Sequence, residues 1–275
     1  MSTAEQPADT RSPAGGGDLV DAYLARLGLD DRPPPTAATL ERLHRAHLGR
    51  VPFENLDIHI GRPITIDVDR FVTKIVNDRR GGFCYELNGA FAWLLERLGF
   101  AVDRLEARVH GDDGPSRPFD HLCLRVTAPG DEPALADVGF GDSFDAPIPL
   151  TFGVDHVDSN GVVRLERVDD GWIDLCGTDG PVYRAALAAR PLGDFAPGCA
   201  FHQSPESHFT KNTICSIRTA TGRVTLRGLT LVRTVDGERR QETITGYDLV
   251  DVLAAEFGVH LPAADLDRLR VASRA

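Results

Sequence analysis

The chain of 275 residues has no apolar run approaching the ~20 residues that a membrane-crossing helix needs, so a helical membrane span is excluded. Basic residues are in the minority, 30 Lys and Arg against 41 Asp and Glu, for a formal net charge of −11. Nucleic acid and anionic bilayers are bound by basic surfaces, so neither is expected as a partner. Cysteine is sparse, five residues without close pairing, and no disulfide framework is expected; a reducing cytoplasm is the expected compartment. There is no Cys-x-x-Cys, and His44 and His47 on one expected helix have no third ligand in sight. Core or surface positions are expected for both, and no metal site. Residues 1–17 are small and polar, without the basic start and apolar centre of a secretory signal, and a disordered tail is expected there.

What is present is an ordinary globular composition, 42% apolar and 26% charged, long enough for one large domain or two to three small ones. The most distinctive stretch is Arg79-Arg80-Gly81-Gly82-Phe83-Cys84-Tyr85-Glu86-Leu87-Asn88. Ala90, Phe91, Leu94, Leu95 and Leu98 follow at helical spacing on one face, with Gly99 as the stop. Cys84 therefore falls in the first turn of a helix, where unpaired N–H groups and the helix dipole favour an anion and lower a thiol's pKa. The glycines allow a tight turn and a close approach of substrate. The competing reading is a buried structural cysteine at a helix start.

Two downstream residues bear on that choice. His121 lies in an alternating segment, Pro118 to Leu124, that reads as a strand. Asp137 lies in Ala134 to Gly141, read as an otherwise apolar strand over 133–140, where a carboxylate is costly without a partner. An imidazole N–H is such a partner, and the other ring nitrogen would face the thiol. Cys84, His121 and Asp137 then form a nucleophile, base and orienter. Taken singly, each is better read as structural; together they favour catalysis.

Helices are expected around Leu19–Leu27, from Thr36 or Thr39 to Leu48, from Asp67 to Val76, and from Cys84 to Leu98. From Ala101 the period becomes two. Strands are expected at 101–110, 121–127, 133–140, 162–168 and 172–176, the last two joined at Asp170-Gly171, a β region that reads as a barrel. Further strands are expected at 214–219 and 223–234, a hairpin at Asp236-Gly237, and helices at 247–257 and 264–271. The resulting fold class is α+β.

Val51-Pro52-Phe53-Glu54-Asn55-Leu56, the Arg-Gly-Gly-Phe-Cys run, His121, Asp137-Val138-Gly139-Phe140-Gly141 and Ser204-Pro205-Glu206-Ser207-His208-Phe209 together resemble the arylamine N-acetyltransferases, in order and spacing, from about Leu19 to Leu261. The resemblance implies a three-part fold: after the tail (1–17), a helical bundle carrying the nucleophile (18–100), a β-barrel (101–195) and an α/β lid (196–275). It implies Cys84, His121 and Asp137 as the triad, acetyl-CoA as acetyl donor, and an aromatic amine or hydrazine as acceptor. It also implies Phe53, Val109, Gly139, Phe140, Gly141, Ser207 and Phe209 as substrate- or cofactor-binding residues. Two departures from the family pattern are Leu87, at a place often polar, and Asp120, where a small polar residue is frequent before the histidine. The resemblance leaves three alternatives: an amide synthase closing a macrolactam from a polyketide thioester with the same triad, a cysteine hydrolase, and a silent binding protein on this fold.

Overall fold

The computed structural model describes residues 16–142, 144–158 and 161–273. Residues 1–15 of the expected tail lie outside that range, while residues 16 and 17 already belong to the first helix. Helices α1 (Gly16–Arg26) and α2 (Ala37–Arg50) come first, then a two-residue strand β1 (Phe53–Glu54), a short α3 (Leu56–Ile60), α4 (Val68–Val76) and α5 (Cys84–Leu98). Thr36 caps α2 by accepting the Thr39 N–H, and the Asp67 carboxylate caps α4 through the N–H groups of Asp69 and Arg70. Sequence periodicity does not reveal β1 or α3, which are too short to display a period.

Helix α5 is not the one-sided amphipathic helix its apolar stripe suggests. Every residue from Cys84 to Leu95 is buried, because α1 and α4 pack against one side and the β-sheet against the other. Tyr85, Glu86 and Asn88 in that stretch are all hydrogen-bonded. Gly99 ends it in the left-handed region at φ 97°.

Among the described residues nine strands follow: β2 (Ala101–Gly111), β3 (Gly114–Pro115), β4 (His121–Thr127), β5 (Ala134–Ala136), β6 (Ile148–Pro149), β7 (Asp155–Asp158), β8 (Gly161–Arg167), β9 (Trp172–Gly177) and β10 (Gly180–Ala189). All pairings are antiparallel, in the order β6-β5-β4-β2-β10-β9-β8-β7 with β3 beside β2. Leu105, Cys123, Leu135, Ile148, Leu165, Leu175 and Tyr183, from seven of these strands, meet in one core, so the sheet curls around its own inner face like a barrel. The strand expected over 133–140 is only Ala134–Ala136: Asp137 leaves the ladder and opens a turn segment. Strand β4 alternates as a strand must. Leu122, Leu124 and Val126 face the helical core, and Cys123, two residues on from His121 and so on its side of the strand, faces the barrel core.

After α6 (Ala196–His202), strands β11 (Ile214–Thr219), β12 (Gly222–Arg227), β13 (Thr230–Val235) and β14 (Glu238–Thr243) form a second antiparallel sheet. The single strand expected over 223–234 is in fact β12 and β13, broken by a turn with Gly228 at φ 57°. Asp236 and Gly237 both have positive φ, as the tightest hairpin turn demands. Helices α7 (Leu249–Phe257) and α8 (Ala263–Ala272) cover this sheet, sharing a core with Leu56 and Ile60 of α3. The boundaries expected at 100 and 195 are therefore crossed: β1 is the edge strand of this second sheet, and α3 packs on α8.

Candidate active site

The N-terminus of α5 is held by unusual packing. Gly81 and Gly82 do not adopt positive φ; the left-handed residue in this stretch is Arg79, at φ 52°. The glycines serve close approach instead. A Cβ at Gly81 would sit 1.7 Å from the Pro52 carbonyl oxygen, and one at Gly82 would strike the Glu86 side chain. Gly82 bridges to Phe53, and its carbonyl accepts the Glu54 N–H at 2.8 Å. The Phe83 N–H is satisfied by Glu86 Oε2 at 3.1 Å.

A buried ionic cluster lies beneath this junction. Arg80 Nη2 meets Glu54 Oε1 at 2.7 Å and Asp57 Oδ1 at 3.0 Å; Lys74 Nζ meets Asp57 Oδ2 and Glu86 Oε1, both at 2.8 Å. Burial opposes the charge on Lys74, but the three carboxylates outweigh it and raise its pKa. Burial likewise works to raise the Asp57 carboxyl, and Lys74 and Arg80 overcome it, leaving it below the usual range. Glu86 goes the other way: burial first, then Glu54 and Asp57 against the help of Lys74, push it up to about 7. Asn55, next to Glu54, ties a different segment, donating to the carbonyls of Phe209 and Asn212 and accepting the Ile214 N–H. The Pro-Phe-Glu-Asn stretch thus clamps both the segment leading to Cys84 and the turn that carries Phe209. The partners of these residues lie too far along the chain for spacing in the sequence to reveal them.

Cys84 opens α5 and lines a cavity of about 650 Å³ together with His121. His121 Nε2 lies 2.7 Å from Asp137 Oδ2, so its N–H points at the carboxylate and Nδ1 is the nitrogen left for a proton from elsewhere. The ring is flanked by Phe140 and Tyr183, each with its centroid 5.3 Å away. Asn88, one turn along α5 from Cys84, joins the three parts: Nδ2 donates to the Leu122 carbonyl (2.7 Å) and Asp137 Oδ1 (2.8 Å), while Oδ1 accepts the Val138 N–H (3.0 Å). Gly139 N–H donates to Asp137 Oδ1 as well. Burial alone would raise the Asp137 carboxyl; His121, Asn88 and Gly139 together hold it below the usual range.

Cys84 departs from the helix-start expectation. Burial pushes its thiol well above the ordinary value and the Asp137 charge adds to that, against a single opposing hydrogen bond from the Leu122 backbone. Burial and the Asp137 charge thus oppose a lone thiolate at this helix start, and a proton acceptor beside the sulfur would offset them.

Of the other expected binding residues, Phe53, Val109, Gly139, Phe140, Gly141 and Phe209 all line the same cavity. Phe53 and Phe209 face one another with centroids 6.1 Å apart. Gly139 is small for a further reason: a Cβ there would lie 2.8 Å from Cys84 Cα and 2.6 Å from Asn88 Nδ2. Gly141 has φ 91° and abuts the Phe53 ring. Ser207 is placed differently. It is buried, and its hydroxyl accepts the Phe209 N–H at 3.1 Å, capping a turn instead of facing the cavity. Asp120 turns to Ser116, whose hydroxyl donates to it at 2.7 Å. His44 and His47 are core residues, as expected, and among the described residues no cluster of His, Cys, Asp or Glu could hold a metal.

Residues 36–266 match the family model described as N-acetyltransferase. The chain is 35% identical over 250 residues to an arylamine N-acetyltransferase of Mycolicibacterium smegmatis, covering 87% of this chain and 91% of that protein. Among solved structures, the arylamine N-acetyltransferase of Nocardia farcinica superposes with a TM-score of 0.83 at 36% identity, covering 96% of this chain and 98% of that one. The Mycobacterium marinum enzyme in complex with CoA does so with a TM-score of 0.84 at 31% identity, covering 92% and 98%. With the family model spanning most of the chain and these relatives matching nearly end to end, the chain belongs to the arylamine N-acetyltransferase family.

Proposed function

We propose that this protein transfers an acetyl group from acetyl-CoA to an aromatic amine or hydrazine through an acetyl-cysteine intermediate on Cys84. The observation that carries the reading is the pairing of Asp137 Oδ2 with Nε2 of His121, which lines the same cavity as Cys84. The M. marinum relative, solved with CoA, supports the donor.

The burial that raises the Cys84 thiol means that ionisation proceeds by transfer to a neighbour. His121 Nδ1 takes the proton from Sγ, and Asp137 holds the ring in the tautomer whose Nδ1 is free to accept it. Moving the proton between Cys84 and His121 leaves the net charge of the pair unchanged, so the buried site does not resist it as it resists a lone thiolate. The sulfur attacks the thioester carbonyl carbon, the bond from that carbon to the CoA sulfur breaks, and the leaving thiolate takes the proton from His121. The N–H groups at the start of α5, beginning with that of Cys84, have no acceptor within the helix and are suited to the oxyanion. The amine then attacks the acetyl-cysteine, His121 receives its proton, and Cys84 is released. Thioester exchange is nearly balanced in energy, whereas formation of the amide is downhill.

Phe53, Phe140 and Phe209 give the cavity an apolar wall suited to an aryl ring. Initial-rate kinetics test the scheme: parallel double-reciprocal lines are expected when donor and amine are varied, and intersecting lines would refute it. Acid release from a thioester without any amine would instead mark a hydrolase, and turnover only with a long polyketide thioester would mark an amide synthase.

A further inference from the structure

His44 is buried on α2, 93 residues from Asp137 in sequence, yet its ring touches both ends of the segment that Asp137 opens. The Asp137 N–H points at His44 Nε2 from 3.2 Å, and the Asp145 carbonyl lies 3.1 Å from His44 Nδ1. The Asp137 carbonyl also lies 3.1 Å from Nε2. Of the two neutral tautomers, the one protonated at Nδ1 satisfies two of these three contacts, Nδ1–H to the Asp145 carbonyl and the Asp137 N–H to Nε2, whereas protonation at Nε2 satisfies only the Asp137 carbonyl, so Nδ1 carries the hydrogen. The ring stacks on Phe144, centroids 5.6 Å apart and nearly parallel, with Phe91 at its edge. Burial keeps it neutral, lowering its pKa to about 4 despite the carboxylates of Asp137 and Asp145. Asp145 is itself held by Arg45 of α2 at 2.9 Å and Arg218 of β11 at 3.0 Å.

We propose that His44 is a positioning residue for the triad: as a neutral imidazole whose ring is oriented by the Asp145 carbonyl, it holds the Asp137 backbone N–H at the start of the segment that carries Asp137 and Phe140. It thereby sets the Asp137–His121 hydrogen bond. This rests on the catalytic reading above, in which that bond readies His121 for the Cys84 proton.

The test uses the full chain and needs no acyl donor. The rate at which iodoacetamide alkylates Cys84 at pH 7, assigned by peptide mass, is compared in wild type, His44→Gln and His44→Asn, with circular dichroism melts as the fold control. Gln places an amide oxygen where Nε2 accepts the Asp137 N–H; Asn can replace only the Nδ1 contact. His44→Gln should stay near the wild-type rate, while His44→Asn should slow by about 100-fold, the cost of misplacing a catalytic group by about 1 Å. Equal rates in all three, or equal loss in both variants, would overturn the proposal. Should neither variant fold, nitrogen-15 NMR of the wild-type histidines decides: a buried ring protonated at Nδ1 supports it, and His44 protonated at Nε2 overturns it. A wild type that alkylates rapidly yet takes no acetyl from acetyl-CoA would retire the donor and leave the role of His44 intact.

Discussion

Asn88 Nδ2 donates to Asp137 Oδ1 at 2.8 Å from a position one helical turn beyond Cys84, so the helix that carries Cys84 also holds the Asp137 carboxylate. The same amide binds the Leu122 carbonyl and the Val138 N–H. One side chain thereby fixes the spacing between α5, the strand carrying His121 and the segment carrying Asp137.

Replacing Asn88 by Ala should therefore affect both stability and rate. It leaves a buried carbonyl and a buried N–H without partners, at a cost of about 2 kcal/mol or more. Urea unfolding measures the first effect. The rate of Cys84 acetylation, expected to fall by about 100-fold, measures the second. Loss of stability with an unchanged acetylation rate would show that Asn88 only supports the fold.

Burial raises the Cys84 thiol, and the proposed scheme assigns its proton to His121. In His121→Ala, alkylation at pH 7 should nearly cease and return only above pH 9.0, the ordinary thiol value, because burial and Asp137 both hold the proton on sulfur. A His121→Ala profile with a midpoint below 9.0 would mean that the helix terminus activates the thiol by itself. Asp137→Asn should lower kcat by up to about 10⁴-fold, as expected when the orienting acid is lost and the wrong tautomer forms.

Much of this site is legible in sequence. Cys84, His121 and Asp137 lie in short patterns whose chemistry is local, and Gly99, Thr36 and Asp67 mark helix ends by rules that act within one turn. What is not legible is set by distant partners. The Glu54–Arg80 pair spans 26 residues, and His44 meets Asp137 across 93. Strand β10 reads as Gly180-Pro181-Val182-Tyr183 and then a run rich in alanine, with no alternation to announce it, although it pairs with both β2 and β9. The expected strand over 133–140 fails at Asp137 because the Gly139 backbone must come down onto Cys84, which a flat ladder does not allow.

Gly81 and Gly139 separate packing from catalysis. Gly81→Ala drives a Cβ into the Pro52 carbonyl and should cost ~3 kcal/mol or more, with poor recovery of folded protein. Gly139→Ala meets Cys84 Cα and Asn88 at the site itself. Its melting temperature should fall less than that of Gly81→Ala, while its acetylation rate falls more. The reverse order would contradict the assignment of Gly139 to the spacing of the triad.

Glu86, pushed up to about 7 by burial and its acidic neighbours, makes stability depend on pH. Its folded pKa is above the unfolded value of 4.5, so between those values the folded state binds more proton and stability falls as pH rises. Relative to Glu86→Gln, wild type should lose on the order of 2 kcal/mol between pH 5 and 8. Chemical unfolding at several pH values checks this; a constant difference would show that Lys74 keeps Glu86 ionised throughout.

In the proposed reaction Cys84 carries the acetyl group between donor and amine. Intact-protein mass after brief incubation with acetyl-CoA, on wild type and on Cys84→Ala, tests it most directly. One acetyl on wild type, none on Cys84→Ala, and its removal by an aromatic amine is the predicted result. An acetyl that survives the amine, or one that also appears on Cys84→Ala, would contradict it.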